Sequence, residues 1–509
     1  IIEDSDTYRV EVYATSPGTL ANDIVEQCGV QPDEVTHIIV HGALNQADFE
    51  VMRTEMTSCY SIDLSDVQCS RIPESAFSEK SYLKNIVLPM QCDTIASYAF
   101  NQCRSLQKID FPERLTTIEY QAFYSCSSLN EITLPKHLKR LDGYVFAECY
   151  ALTQVHFPDS LEVIEYGCFQ SCHNIKHLSL PAGLKRLGSN SFGYCYHLEQ
   201  VDFPDMLEEI DWGAFQGCSI LKDVQLPMGL KRLGGMAFAE TKIENIYIPA
   251  SVEYIDENPY GRCDIRSIVV DENNTKFEVL EGSCSLVETE TKRLIIGCNN
   301  TIIPRDIVEI GGYAFVGCDF ATIDIPASVK VLGDAVFEQC NNLVSVVLPE
   351  GLTSIGSSAF SNCYALAGID IPNSVNYIGS SAFQSCQSLT EIDIPDGVES
   401  LCWGTFYSCS KLKRVKLPAQ LRYIEGYTFA YCYELEEINI PSQVESIEYS
   451  AFNWCQNLKK IDLSHCASLN YISSAVFYGC SKLESVDLPA SLDRIGPDAF
   501  AECYALVNL

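Results

Sequence analysis

Cysteine is the residue type in this sequence with the widest range of chemistry, because thiols form disulfides, bind metal ions and act as nucleophiles. The chain has 509 residues and 25 cysteines. Sixteen of them share one position in a recurring phrase, A-F-x-x-C, in which x is any residue: Cys103, Cys126, Cys149, Cys172, Cys195, Cys218, Cys263, Cys318, Cys340, Cys363, Cys386, Cys409, Cys432, Cys455, Cys480 and Cys503. This regular spacing indicates one shared role.

The spacing favours a column of buried thiols over a disulfide framework or a metal site. Equivalent residues of stacked repeats point their Cβ atoms in parallel, whereas a disulfide needs two Cβ atoms that converge. No C-x-x-C pair occurs, and Thr241 takes the cysteine position after Phe238 without interrupting the pattern. Free cysteine behaves as a small hydrophobic residue. We therefore predict reduced, buried repeat cysteines, no metal site and no cofactor.

Histidines and known catalytic motifs give no support to an enzyme. His37 and His41 share one face of a predicted strand, which is typical of surface histidines. His173 and His177 read H-x-x-x-H, but in the repeat frame only His177 lies on a strand, so they are not a helical zinc pair. The motifs H-E-x-x-H, G-x-S-x-G, G-x-G-x-x-G and the P-loop are absent. We predict no catalytic residues, and a hydrolase has no support.

The aromatic residue of A-F-x-x-C sets the period of the chain, which is 23 residues over most of its length. The phrase recurs 18 times, with a gap after the ninth copy, and its aromatic residues are Phe77, Phe100, Phe123, Phe146, Phe169, Phe192, Phe215, Phe238, Tyr260, Phe315, Phe337, Phe360, Phe383, Phe406, Phe429, Phe452, Phe477 and Phe500. Such a period is the signature of a repeat architecture.

One copy shows what each repeat must form. Ala122, Cys126 and Leu129 have the spacing of one side of a short helical turn, and Leu129, Ile132 and Leu134 have that of a half-buried strand. A unit of this size cannot bury its own apolar face, so copies must stack. We therefore predict an α/β repeat fold, a right-handed solenoid with a parallel concave sheet and short helical turns on the other side.

The repeat resembles a known family. The phrases A-F-x-x-C and L-x-x-I-x-[LI]-P, with the 23-residue period, resemble the BspA-like, or treponemal, class of leucine-rich repeats over about residues 61–509. The opening of the chain is similar, more loosely, to repeat proteins of Bacteroidales bacteria. The resemblance implies a surface protein that adheres to host matrix proteins or to other cells.

Two segments fall outside the repeat period. We predict an N-terminal cap over residues 1–60, repeat blocks over 61–263 and 304–509, and a β-hairpin island over 264–303. In the cap, Asn45 and Asp48 have the spacing of a helix N-cap with an acid three residues later. The island alternates like two strands around an E-T-E-T-K turn. Spacing, local capping and binding stay open as its role.

The composition narrows the classes of partner that the chain is expected to bind. The formal net charge is −34, which repels nucleic acid and anionic membranes and suits a neutral, cationic or metal-bridged partner, although solubility alone also explains such a charge. The sequence contains no stretch of 18 or more apolar residues, which is the length that a membrane-spanning helix needs. The chain does not begin with methionine, so we expect a removed leader and a location at the cell surface or outside the cell.

The strand face is the candidate binding surface, because residues on either side of the central Ile of L-x-x-I-x-L point away from the core. The candidate ligand-binding residues are Asp324, Asp370, Asp393, Glu391, Arg414 and Lys416. The acids come first along the chain, and Arg414 and Lys416 follow them on the next strand. Two accounts stay open for this reversal of charge. Lys416 relieves Asp393 across neighbouring strands, or residues 370–416 form a recognition patch for a partner of complementary charge.

We interpret the chain as a non-enzymatic binding protein for a protein or glycan ligand. The alternative is a structural spacer or accessory module that presents another domain. Because a fold does not fix a function, the ligand and the oligomeric state stay open.

Overall fold

The computed structural model describes residues 2–4 and 7–507, which form two compact units, residues 1–274 and 275–509. Each unit is a solenoid of stacked turns that carries two columns of short parallel strands, which confirms the repeat fold. The A strands contain the central Ile or Val of L-x-x-I-x-L. The B strands come later in each repeat and end just before the A-F-x-x-C segment, in a position where we predicted no strand.

The first unit begins with the cap. Its elements are strands Ile2–Asp4 and Thr7–Tyr13, helix α1 (Leu20–Cys28), a 3-10 turn (Pro32–Glu34), strand Val35–His41 and helix α2 (Gln46–Thr54). Helix α2 starts as predicted, because the Asn45 side chain accepts the N–H of Ala47 at 2.9 Å and the Asp48 carboxylate accepts the N–H of Asn45 at 2.8 Å. Phe49 of α2 packs edge-on against Phe77, with ring centroids 5.8 Å apart, and so covers the first repeat.

The repeats of the first unit follow the cap strand Val35–His41, which pairs in parallel with the first A strand. The A strands are Ser61–Asp63, Asn85–Val87, Glu131–Thr133, Gln154–His156, His177–Ser179, Gln200–Asp202, Asn245–Ile248 and Ser267–Val270. The B strands are Arg71–Ile72, Thr94–Ile95, Thr117–Ile118, Arg140–Leu141, Val163–Ile164, Arg186–Leu187, Glu209–Ile210, Arg232–Leu233 and Tyr254–Ile255.

The second unit begins with the island, which has one strand more than the predicted hairpin. Strands Phe277–Val279, Leu286–Glu288 and Arg293–Ile296 form an antiparallel meander, and the last pairs in parallel with the first B strand. The A strands are Thr322–Asp324, Ser345–Val347, Glu391–Asp393, Arg414–Lys416, Glu437–Ile438, Lys460–Asp462 and Ser485–Asp487. The B strands are Glu309–Ile310, Val331–Leu332, Ser354–Ile355, Tyr377–Ile378, Ser400–Leu401, Tyr423–Ile424, Ser446–Ile447, Tyr471–Ile472 and Arg494–Ile495.

The A-F-x-x-C segment is built from linked β-turns, where we predicted a helical turn. The N–H of Phe100 donates to the carbonyl of Ala122 in the next repeat at 2.7 Å, and the N–H of Cys103 donates to the carbonyl of Phe100 at 3.1 Å. Tyr98 and Gln102 adopt left-handed backbone angles, with φ of 59° and 57°, which interrupt any helix. The Phe and Cys side chains still face the core as predicted, because linked β-turns, like a helical turn, bring every third or fourth residue to one side.

Two side-chain columns fill the core of each unit. The phenylalanine rings of successive repeats stack almost in parallel, and Phe360 and Phe383, for example, have centroids 5.3 Å apart. Fifteen of the sixteen repeat cysteines donate their Sγ–H to the phenylalanine carbonyl one repeat earlier, as Cys386 does to Phe360 at 3.2 Å. The same carbonyl accepts the N–H of Cys363 at 3.2 Å. Cysteine therefore fits here because it is apolar enough to bury and still satisfies the carbonyl's second lone pair.

Most of the repeat cysteines are buried, which confirms the predicted column, while Cys263, Cys318 and Cys503 are half-buried. All 25 cysteines have free thiols. At the exception, Thr241 donates its hydroxyl to the carbonyl of Phe238 in its own repeat at 2.8 Å, and not to the phenylalanine one repeat earlier.

Lys80 holds the cysteine position in the first repeat. Its ammonium donates to the carbonyl of Met56 in the cap at 2.6 Å, and the residue is buried. Burial lowers the pKa of Lys80 from its ordinary value. The first repeat is thus tied to the cap by a group that no other repeat has at this position.

Glycines after the B strands of the second unit allow close backbone contact. A Cβ atom on Gly356 would lie 2.5 Å from the carbonyl carbon of Gly333, whereas one on Gly368 would meet nothing within 4 Å. We expect Gly356→Ala to lower the free energy of unfolding by about 1–3 kcal/mol. Gly368→Ala is the matched control and should leave it nearly unchanged. Equal urea midpoints for the two variants would contradict this account.

Candidate functional site

The A-strand face of the second unit carries all six predicted site residues, and each of them is exposed. The strand from Glu391 to Asp393 shows the reason, since Ile392 points into the core and its two neighbours point outward. This alternation repeats along the column, so the face is a regular array of polar side chains. Asp324, Asp370, Asp393, Glu391, Arg414 and Lys416 belong to it.

The structure brings four of these residues together around one groove and leaves two outside it. The groove has a volume of about 470 Å³, and its lining includes Asp370, Glu391, Asp393 and Arg414. We call it the Gly368 groove; it is lined by Ser345, Val346, Val347, Gly368, Ile369, Asp370, Ile371, Glu391, Ile392, Asp393 and Arg414. Asp324 and Lys416 share the face but are not part of this lining.

The groove lies where the A column is interrupted. Residues 368–370 are described but form no strand, between the strands that end at Val347 and begin at Glu391. Gly368 has no side chain to fill the space above it, and Val347 is 71% exposed at the edge. The groove therefore combines free volume, an apolar edge and carboxylates on the opposite side.

Charges around the groove are only partly compensated within the chain. Arg414 and Glu391 form an ion pair of 2.7 Å, and both side chains are largely exposed. Asp393 and Lys416 are register partners on neighbouring strands. Within residues 275–507, however, neither of their side chains forms an ion pair, and nor does Asp370. The chain thus pairs Glu391 directly with Arg414, whereas Asp393 and Lys416 face each other in register without a direct ion pair, so both accounts of these charges stay predictions.

Over the described part of the chain, no group of three or more His, Cys, Asp or Glu side chains is arranged to hold a metal ion. The groove offers carboxylate acceptors and apolar surface, which suit binding of a cationic or amphipathic segment.

The first unit has a comparable groove that we did not predict. It has a volume of about 490 Å³ and also lies at a break in the A column, at residues 223–225, which are described but form no strand. Its lining includes Asp202, Lys222 and Asp223. The loss of one strand pairing changes the residue pattern of a repeat very little. In the second unit, Gly368 was the one residue in the sequence that indicated this loss.

The B strands of the first unit carry an ion-pair ladder that we also missed, because we predicted no strand there. Arginines at the first position of B strands pair with acids that directly follow a B strand, and a single arginine serves more than one acid. The pairs are Arg71–Glu119 (2.8 Å), Arg140–Asp142 (3.0 Å), Arg140–Glu165 (2.9 Å), Arg186–Glu165 (3.3 Å), Arg186–Asp211 (2.6 Å) and Arg232–Asp256 (3.0 Å). Every acid at this repeat position in the first unit thus contacts a guanidinium.

A comparison with models of known protein families shows which family the chain belongs to. The model of the BspA type Leucine rich repeat region (6 copies) matches residues 55–176, 162–280, 295–390 and 376–507. The chain belongs to this family. The predicted resemblance is confirmed, while a Bacteroidales source stays a prediction.

Several solved structures are similar to the BspA-type chain. A leucine-rich cell surface protein from Faecalibacterium prausnitzii is 24% identical, with 68% of this chain and 82% of that chain covered and a TM-score of 0.48. A leucine-rich repeat protein from Bacteroides ovatus is 23% identical, with 84% and 79% covered and a TM-score of 0.33. One from Eubacterium ventriosum is 19% identical, with 74% and 83% covered and a TM-score of 0.48. No curated protein matches the chain.

Helices α1 and α2 of the BspA-type chain have 9 residues each. Among the described residues, no helix is both long and apolar enough to cross a membrane.

Proposed function

We propose that this BspA-type protein is a non-enzymatic binding protein at the cell surface or outside the cell, and that the Gly368 groove receives its ligand. Membership of a leucine-rich repeat family supports a protein-binding role, since such solenoids present extended regular surfaces. The similar Faecalibacterium protein is described as a cell surface protein, and we propose the same location for this chain.

The observation that carries the proposal is the pair of uncompensated aspartates, Asp370 and Asp393, beside free volume at Gly368. A protein ligand that places an extended segment with a cationic residue in this groove would meet both carboxylates and the exposed Val347. Acidic patches of this kind act mainly on association rate and specificity. We therefore favour a protein over a glycan, and host matrix proteins are the first class to screen.

The proposal predicts an effect of charge on association. Immobilised protein and glycan arrays, probed with the purified chain, identify a ligand. Reversing Asp370→Lys and Asp393→Lys should then slow association about tenfold at low salt, and the difference should shrink at high salt because surface charges are screened. The charge-matched control is the double variant Glu281→Lys and Asp493→Lys, since both of these acids are exposed and lie outside the groove.

A variant that changes the shape of the groove but not its charge separates the effect of the groove on binding from the effect of net charge. Gly368→Leu fills the groove without changing charge and should weaken binding, while Gly368→Ala should weaken it less. Equal slowing by the groove reversal and the control reversal would show that net charge alone acts, and would remove the groove as the site. A protein that binds nothing on either array would instead support the spacer role.

A further inference from the structure

A second concave site lies on the B-strand side of the second unit. It has a volume of about 430 Å³ and is lined by Trp403, Tyr423, Glu425, Gly426, Glu448 and Tyr449. We call it the Trp403 cleft. Three aromatic side chains from three successive repeats form its walls, and Trp403 is 49% exposed. Clustered exposed aromatic surface beside carboxylates is typical of a recognition site.

The two carboxylates of the Trp403 cleft have no cation of their own. Glu425 accepts the N–H of Trp403 at 2.9 Å and the hydroxyl of Ser400 at 3.4 Å, and Glu448 accepts the hydroxyl of Ser446. Within residues 275–507, neither carboxylate forms an ion pair. These acids occupy equivalent positions in neighbouring repeats, so their negative charges reinforce one another.

The first unit shows which group satisfies an acid at this repeat position. There, every acid that directly follows a B strand contacts an arginine that begins a B strand, as Asp211 contacts Arg186 at 2.6 Å. Around the cleft the residues that begin the B strands are Ser400, Tyr423 and Ser446. The arginine is therefore missing where the acids remain, and an aromatic ring stands in its column.

Tyrosine at the start of a B strand already stacks with arginine elsewhere in the chain. Tyr471 is the register partner of Arg494, whose guanidinium lies 4.3 Å from the ring centroid. Tyr254 is the register partner of Arg232 in the same way, at 5.7 Å. Tyr423 differs, because both of its register partners are serines.

One cation does lie near Tyr423, but its charge is already matched. The Arg422 guanidinium is 5.5 Å from the Tyr423 ring centroid and forms an ion pair of 2.6 Å with Glu445. It does not reach Glu425 or Glu448 within ion-pair distance. The cleft therefore keeps two acceptors for a further cation.

We infer that the Trp403 cleft binds an arginine side chain of a partner protein. A guanidinium is planar, so it stacks on aromatic rings and donates paired hydrogen bonds to carboxylates at the same time. A lysine ammonium provides the charge without the planar donor pair. The inference does not depend on the Gly368 groove, because it rests on other residues and another strand column.

The test uses the full chain with Trp403 as the reporter, after Trp212→Phe and Trp454→Phe remove the other tryptophans. The probes are the peptide acetyl-Gly-Arg-Gly-amide and its lysine and citrulline counterparts. We expect a saturable change in Trp403 fluorescence with the arginine peptide, about tenfold weaker binding of the lysine peptide and no binding of the uncharged citrulline peptide.

Two variants check that the cleft is responsible. Glu448→Gln should weaken the arginine peptide about threefold to fivefold, while Glu484→Gln, an exposed acid outside the cleft, should not. Ser446→Arg supplies the missing arginine within the chain, as in the first unit, and should block the peptide in a protein that melts no lower than the parent. Equal responses to all three peptides, or an unaffected Glu448→Gln variant, would overturn the inference. A response to an uncharged oligosaccharide alone would overturn it as well and point to a sugar site.

Discussion

Raising the pH from 8 to 10 is expected to destabilise each unit by about 10 kcal/mol, which is comparable with the whole stability of a typical domain. The cause is the thiol column. Burial raises the pKa of Cys149 and Cys409 from the ordinary value of 9.0 to about 12, so these thiols stay protonated in the folded chain. In the unfolded chain thiols ionise through pH 9. Above that pH the unfolded state binds fewer protons than the folded state, and the free energy of unfolding therefore falls as pH rises.

The size follows from the number of thiols. Each buried thiol contributes a loss of about 1.4 kcal/mol between pH 8 and 10. Nine buried cysteines lie in the first unit and eight in the second. Below pH 8 the thiols are protonated in both states, so this contribution is constant there.

Urea unfolding in reducing buffer at pH 7, 8, 9 and 10, followed by circular dichroism, measures the effect. Cys386→Thr provides the control, because Thr241 already occupies the equivalent position in another repeat. This variant should show a smaller dependence on pH, by the contribution of one thiol. Urea midpoints that stay constant from pH 8 to pH 10 would contradict the assignment of protonated, buried thiols.

Phe383→Ala is expected to lower the free energy of unfolding by about 3–5 kcal/mol. The Phe383 ring is fully buried between Phe360 and Phe406, with centroids 5.3 and 5.5 Å away, so its removal leaves a cavity that two neighbouring repeats share. Tyr364→Ala is the matched control, because Tyr364 is an aromatic residue of the same region with an exposed side chain.

Hydrogen exchange locates the loss. Because each repeat packs only on its neighbours, amides of the repeats next to Phe383 should lose protection before those at the ends of the second unit. A uniform loss across that unit would show that its repeats unfold as one cooperative body.

The sequence was sufficient for the period and the core, and insufficient for the second strand column. Phe and Cys recur at fixed positions, so both columns follow from stacking alone. A two-residue strand such as Thr117–Ile118 has no alternation of its own, and it exists only because the next repeat pairs with it. The linked β-turns were missed for a related reason, since some of their hydrogen bonds, such as that from Phe100 to Ala122, run between repeats.

The sequence predicted which side chains of the candidate site face outward, but it did not predict the groove between them. The alternation around Ile392 placed Glu391 and Asp393 on the outer face, but the groove depends on a lost strand pairing at Gly368. The Trp403 cleft collects aromatic residues from two different repeat positions, so no single ladder of equivalent residues contains it. Such sites become visible only when neighbouring repeats are superposed in space.

Lys80 bears on how a chain of repeats with the same core residues finds its correct order during folding. Repeats that share these residues also fit one another after a slip by one copy or an exchange between two chains, because Phe still meets Phe and Cys still meets Cys. Lys80 removes that degeneracy at the start of the column. Any repeat stacked there in place of the cap would bury an ammonium group without the Met56 carbonyl that accepts its hydrogen bond. A single charged residue thereby marks one end of the column and discourages the misaligned and domain-swapped forms to which repeat proteins are prone.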